Sequence, residues 1–184
     1  MIMIEQDKKV FILLSRLLQY PDRPWLEIDQ LRPMVSELKS VPIQNHVYEF
    51  LDYVENKPWE QLAQQYVATF DFSEQSNMDL TSLLCPDDRK RGQMLANLKS
   101  IYGRAGLEID SGELPDYLPM ILEFLSMIDG EVSLEVLGIV RPGMEKLWHQ
   151  LEKDDSPYAV VLEACLLSTA AMACMETTLR GGVS

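Results

Sequence analysis

The chain is poor in the residues that most often carry catalysis. It has two histidines, His46 and His149, in 184 residues, too few for most histidine-based catalytic or zinc sites. Its three cysteines, Cys85, Cys165 and Cys174, show no Cys-x-x-Cys spacing. They fit a reducing compartment and offer no disulfide framework. A phosphate-cradling glycine loop and a nucleophile elbow are both missing. The most apolar run, Ala159 to Cys174, is interrupted by Glu163 and falls short of the ~20 residues that span a bilayer. Met1 to Glu5 shows no basic region followed by a long apolar core, so no secretory signal is expected. Positive charge is scarce as well. Sixteen Lys and Arg face 29 Asp and Glu, a net charge of −13, which disfavours nucleic acid and anionic bilayers as partners. The expectation is a cytoplasmic protein that neither enters a membrane nor binds nucleic acid.

What is present points to a packed helical domain. An apolar content of 47% with 24% charged residues is that of a globular chain, and the length suits one domain over residues 1–184. Val10, Phe11, Leu13, Leu14, Leu17 and Leu18 recur at helical spacing, and Pro21 stops that helix near Tyr20. Helices follow around Trp25 to Leu38, bent at Pro33, then after Pro42, and then from a cap at Asn56 with Pro58 at the helix start. A polar stretch, 73–86, reads as an ordered loop of about 14 residues, a length often tied to function. Asp87 or Asp88 caps the next helix and Gly106 ends it. A further helix runs from about Ser133 to Leu151, where Pro142 predicts a bend or a split. Ser156-Pro157 opens the last helix, and order is expected to end near residue 180. No segment alternates with period two between hairpin turns. The spacing therefore predicts an all-α domain of about seven to nine helices and no sheet.

The chemistry concentrates in a few places. From Ala105 to Val140 there is no Lys or Arg, while eight carboxylates occur. Within that stretch lies Glu113-Leu114-Pro115-Asp116-Tyr117-Leu118-Pro119, followed by Glu123. Asp116 is placed to cap a helix whose first turn holds Pro119. An acidic loop leading into a packed helix can receive something basic and partly apolar. Tyr66, Phe70, Asp71 and Phe72 close an earlier helix with three aromatics and an acid. Arg89 and Arg91 open a helix, where the dipole disfavours cations, so both are expected to pair with carboxylates such as Asp71 or Asp116. Ten methionines supply flexible thioethers for the core and for adaptable apolar surfaces. Cys165 and Cys174, on an apolar helix, read as core residues. A competing reading, a small helical metal protein, would use Glu145 and His149 at i, i+4. It lacks the second Glu-x-x-His copy that dimetal bundles use.

Taken in order, Tyr66-Val67-x-Thr69-Phe70-Asp71-Phe72, Asn77-Met78-x-Leu80-Thr81, Arg89-x-Arg91-Gly92, Leu98-Lys99-x-x-Tyr102-x-x-Ala105-Gly106-Leu107 and Glu113-Leu114-Pro115-Asp116-Tyr117-Leu118-Pro119 resemble the NarJ family. These are the assembly chaperones (delta subunits) of respiratory nitrate reductase, within the wider TorD-like redox-enzyme maturation chaperones. The resemblance spans about residues 8 to 175. It implies an all-helical chaperone without catalysis and without a stably bound cofactor, acting as a monomer or weak homodimer. Its partner would be the N-terminal segment of the nitrate reductase catalytic (alpha) subunit, held until molybdenum cofactor and iron–sulfur cluster are inserted. A chaperone for a dimethyl sulfoxide or trimethylamine N-oxide reductase is the related alternative. The residues expected to contact the peptide are Tyr66, Phe70, Asp71, Phe72, Arg89, Arg91, Glu113, Leu114, Pro115, Asp116, Tyr117 and Glu123. The chain departs from the family pattern at Asp79, Ser82, Leu83 and Cys85-Pro86-Asp87.

Overall fold

The computed structural model describes residues 5–22, 28–85, 87–109, 112–128 and 130–181, with side chains given from residue 8 to 174. Nine α-helices are seen among these residues: α1 (Glu5–Leu17), α2 (Ile28–Ser36), α3 (Val41–Glu55), α4 (Trp59–Tyr66), α5 (Leu80–Leu84), α6 (Asp88–Arg104), α7 (Leu118–Met127), α8 (Glu131–Lys153) and α9 (Ala159–Gly181). A π-helical turn, Val67–Asp71, extends α4. The expected absence of a sheet holds for the described residues, whose only extended pairing is an isolated antiparallel bridge between Asp79 and Tyr117.

Helices α8 and α9 pack on each other and carry most of the remaining helices, α8 holding α5 and α6. Helix α1 packs along α7 and touches α9, while α9 also packs on α3 and α8. Leu118, Ile121, Leu122, Phe124 and Leu125 of α7 are all buried, each contributing roughly 1.5–3 kcal/mol of transfer free energy. Opposite them, Phe11, Leu14, Leu17 and Leu18 of the first segment are buried too. This is the apolar face that the spacing predicts. Ser15 Oγ and Gln19 Nε2 donate to Glu123 at 2.9 and 3.1 Å, lacing the rim of the same contact.

Helix ends follow local chemistry at some places and tertiary partners at others. Asp87 caps α6, its carboxylate accepting from the backbone N–H of Arg89 and Lys90. Asp87→Ala should therefore lower stability by about 0.5–2 kcal/mol in a chemical-denaturation titration. Gly106, at φ +76°, closes α6 with Leu107 N–H donating to Tyr102 C=O at 3.1 Å, the left-handed exit that glycine tolerates. Asn56 does not cap α4 as expected. It ends α3, its amide donating back to Asp52 C=O, and Pro58 takes the N-cap position. Pro142 does not split α8, which continues unbroken to Lys153. Cys165 is buried as expected, whereas Cys174 is exposed. The end of order expected near residue 180 lies at the edge of the described residues, and the entry to α2 around Trp25 lies outside them.

Candidate functional site

The stretch expected as a loop, 73–86, is described up to residue 85, where its own side chains order it. Asn77 Oδ1 accepts from Asp79 N–H at 3.0 Å and from Ser82 Oγ at 2.9 Å, a turn that starts the five-residue helix α5. Ser76 Oγ donates to Thr69 C=O, tying the loop to the π turn. The loop is also stitched to the acidic segment. Leu80 N–H donates to Asp116 C=O at 3.1 Å, and Leu118 N–H to Met78 C=O at 2.9 Å.

Beneath this bridge lies Asp116, fully buried at 0% exposure. Its Oδ2 accepts from the Thr81 backbone N–H at 2.9 Å and from Thr81 Oγ1 at 2.6 Å. Arg91 reaches the same cluster, 3.4 Å from Asp79 Oδ2 and 4.0 Å from Asp116 Oδ2. Asp116 is therefore not the N-cap of α7. Tyr117 holds that position without a side-chain cap, because the Asp116 carboxylate is committed to Thr81 on α5. Pro115 is buried beside it, its carbonyl accepting from the Tyr102 hydroxyl at 2.7 Å. Of the two arginines expected to pair, only Arg91 does. Arg89, two positions earlier, is exposed and forms no ion pair among the described residues. Positions i and i+2 do not share a helix face.

Burial, followed by the Asp116 carboxylate, pushes the Asp79 carboxyl above its usual range, with Arg91 opposing the shift. Tyr117 is raised as well, first by burial and then by the charges of Glu113, Asp79 and Asp71. Burial likewise raises the Tyr66 phenol, with Tyr117 the next cause. Tyr66 in turn packs edge-on against Tyr20 at 5.5 Å and against Phe70 at 5.1 Å. Phe70 is buried and meets Tyr158 at 4.9 Å.

The π turn opens the surface above this aromatic cluster. Phe72 N–H bonds to Val67 C=O at 3.3 Å, the i→i+5 spacing that widens a helix and recurs at functional sites. Phe72 is thrown outward, 84% exposed. Between it and Tyr20 runs a groove of about 360 Å³ lined by Tyr20, Ala63, Gln64, Val67, Ala68 and Phe72. Asp71, beside Phe72 in the chain, is exposed, as are Glu113 and Leu114 of the acidic segment, and Asp79 is half-buried. The fold thus brings Tyr66, Phe70, Asp71, Phe72, Glu113 and Tyr117 into one neighbourhood. Asp116, Pro115 and Arg91 support it from below. Glu123 belongs to the α1–α7 contact.

Sequence reasoning missed the groove walls Tyr20, Ala63, Gln64, Val67 and Ala68. It also missed Asp79 and Thr81 as clamp residues, although Leu80-Thr81 stands in one of the motifs quoted above. Glu145 Oε1 accepts from Arg141 Nε at 3.0 Å. Among the described residues no group of three or more His, Cys, Asp or Glu is placed to hold a metal. No helix among them is long and apolar enough to cross a membrane.

Comparison with known proteins agrees with these motifs. The family model described as "Nitrate reductase delta subunit" matches residues 37–160. A Bacillus subtilis protein named as a probable nitrate reductase molybdenum cofactor assembly chaperone, NarJ, is 34% identical over 157 residues, covering 85% of each chain. The Escherichia coli nitrate reductase molybdenum cofactor assembly chaperone NarJ is 30% identical over 159 residues, covering 84% of this chain and 67% of its own. A second Escherichia coli protein, the probable chaperone NarW, is 26% identical over 158 residues, covering 86% of this chain and 67% of its own. With the family model spanning the π turn, the α5 clamp and the acidic segment alike, this chain belongs to the nitrate reductase delta subunit family of NarJ-type chaperones.

Proposed function

We propose that this chain is a cytoplasmic, system-specific assembly chaperone of a respiratory nitrate reductase. It binds the N-terminal segment of the apo catalytic subunit and holds that subunit for molybdenum cofactor and iron–sulfur insertion before membrane docking. It performs no turnover of its own. The observation that carries the reading is the apolar groove beside the π turn, lined by Tyr20, Val67, Ala68 and Phe72, with the exposed Asp71 carboxylate in that same turn. An amphipathic helix lays its apolar face in such a groove, and carboxylates at the margin take its basic residues. Burying Phe72 and Tyr20 against a partner would cover apolar surface now open to water. The similarity to chaperones of nitrate reductase supports the choice of client.

The test is calorimetric titration with a synthetic peptide copying about the first 15 residues of the catalytic subunit encoded with this chain, about four helical turns. Wild-type protein should bind at micromolar Kd or tighter, with affinity falling as salt screens the margin carboxylates. Phe72→Ala should weaken capture about tenfold, as expected of an aromatic anchor, with an unchanged melting temperature because Phe72 is 84% exposed. Equal affinity in Phe72→Ala would move the site off the groove. No binding by wild type would redirect the search to the subunits of dimethyl sulfoxide or trimethylamine N-oxide reductases.

A further inference from the structure

We propose that the Ser76 hydroxyl is the latch that fixes the π turn and so positions Phe72 for capture. This rests on the reading of the groove given above. It adds a positioning residue that stands outside the groove lining and acts through Phe72.

A helix end leaves its last carbonyls without N–H partners of their own, and the π turn ends at Asp71. Thr69 C=O belongs to that last turn, and it accepts from Ser76 Oγ at 2.5 Å, seven residues further along the chain. Ser76 is only 3% exposed, so water does not compete for this bond. The Thr69 hydroxyl is held from the other side, accepting from Gln65 Nε2 at 3.2 Å. By contrast, the backbone bond that closes the turn, Phe72 N–H to Val67 C=O, is long at 3.3 Å. The side chains therefore grip the turn more tightly than its own backbone does. Val67, Ala68 and Phe72, which line the groove, flank the one residue that is gripped. Phe72 is exposed and packs on little in the free protein, so its place at the groove is set by its backbone.

The loop is built to deliver the hydroxyl. Ser73 Oγ accepts from Gln75 N–H at 3.3 Å, and Asn77 Nδ2 donates to Glu74 C=O at 3.4 Å. These bonds fold residues 73–77 into a turn that brings Ser76 back to Thr69. The next residue, Asn77, starts α5, and Thr81 of α5 is fixed on Asp116. Ser76 thus joins the groove wall to the buried clamp. An anchor held in its binding position before the partner arrives loses less freedom on docking.

Two measurements test this. Ser76→Ala removes one oxygen and adds no atom. In the free protein, hydrogen exchange followed by NMR should show the Phe72 amide exchanging about three- to tenfold faster in that variant, the span of one hydrogen bond's net contribution. The second is a double-mutant cycle, the calorimetric titration with the client peptide on wild type, Ser76→Ala, Phe72→Ala and the double variant. Ser76→Ala alone should weaken capture about fivefold, and in the Phe72→Ala background it should cost nothing further. Melting temperatures report that each variant is folded, and a merely structural serine would lower its own without moving affinity. An unchanged Phe72 amide would overturn the latch whatever the peptide does. Faster exchange with wild-type affinity in Ser76→Ala would overturn its part in capture. Equal losses in both backgrounds would overturn action through Phe72. If Phe72→Ala itself binds like wild type, the groove reading fails and the positioning role fails with it, while a faster Phe72 amide would still establish the latch.

Discussion

Asp116→Ala should lower the unfolding free energy by about 3–5 kcal/mol, read from the shift of a chemical-denaturation midpoint. Hydrogen bonds to a charged acceptor contribute about 1.5–3 kcal/mol each, and a buried donor left without a partner adds its desolvation cost. Two such bonds end on Asp116 Oδ2, from the Thr81 backbone N–H and hydroxyl, and both are buried. Alanine would strand both donors, and Arg91 would lose one of the two carboxylates within its reach. Asp116→Asn should cost less, since its carbonyl can still accept from Thr81 while the charge is lost. Thr81→Val should fall between, removing the hydroxyl donor but keeping the backbone N–H. The size of the effect discriminates between two roles. A simple helix cap would cost about 0.5–2 kcal/mol, and a loss confined to that range would rule out the buried clamp.

Gly143 should be the second intolerant position. A Cβ built there meets Leu80 C=O oxygen at 2.7 Å and Leu80 Cβ at 2.9 Å. The obstruction is backbone on the facing helix, which cannot swing aside as a long side chain could. In an open helix, glycine to alanine gains about 0.5–1 kcal/mol of helix propensity. Here overpacking, at about 1–3 kcal/mol, should outweigh that gain, and Gly143→Val should cost more still. The displaced element would be α5, which carries Thr81 and is also held from α8 by Lys146 donating to Leu83 C=O at 3.0 Å. Peptide capture should therefore fall beyond what the loss of stability explains. Gly143→Ala with wild-type stability would mean that α5 can ride outward freely.

The helical skeleton was legible where one face dominates. The stripes of Phe11, Leu14 and Leu18 and of Leu118, Ile121, Leu122 and Leu125 marked α1 and α7, and both are buried as their spacing predicts. Asp87 and Gly106 were legible because capping and left-handed exits depend on the chain itself. Asp116 was not, because its partner Thr81 lies 35 residues away. Pro119 fits a helix starting at either Asp116 or Tyr117, so the local signal cannot separate them. Helix α5 has five residues, too few for periodicity to register, and its order comes from Asn77, Asp116 and Lys146. The π turn leaves no pattern in composition, yet it sets Val67, Ala68 and Phe72 around the groove. The opposed roles of Arg89 and Arg91 were within reach of helical geometry alone, which places residues two apart on different faces.

The pairing of α1 with α7 and α9 also bears on how the protein is made. Ser15 and Glu123 are 108 residues apart, and the last partner of α1 starts at Ala159. At translation rates of about 5–20 residues per second, the first helix waits roughly seven to thirty seconds for the last of the helices that cover it. During that interval Phe11, Leu14, Leu17 and Leu18 have no native shelter, and contacts this distant in sequence slow closure further. The apolar face of α1 thus stays uncovered through most of the synthesis of the helices that later bury it.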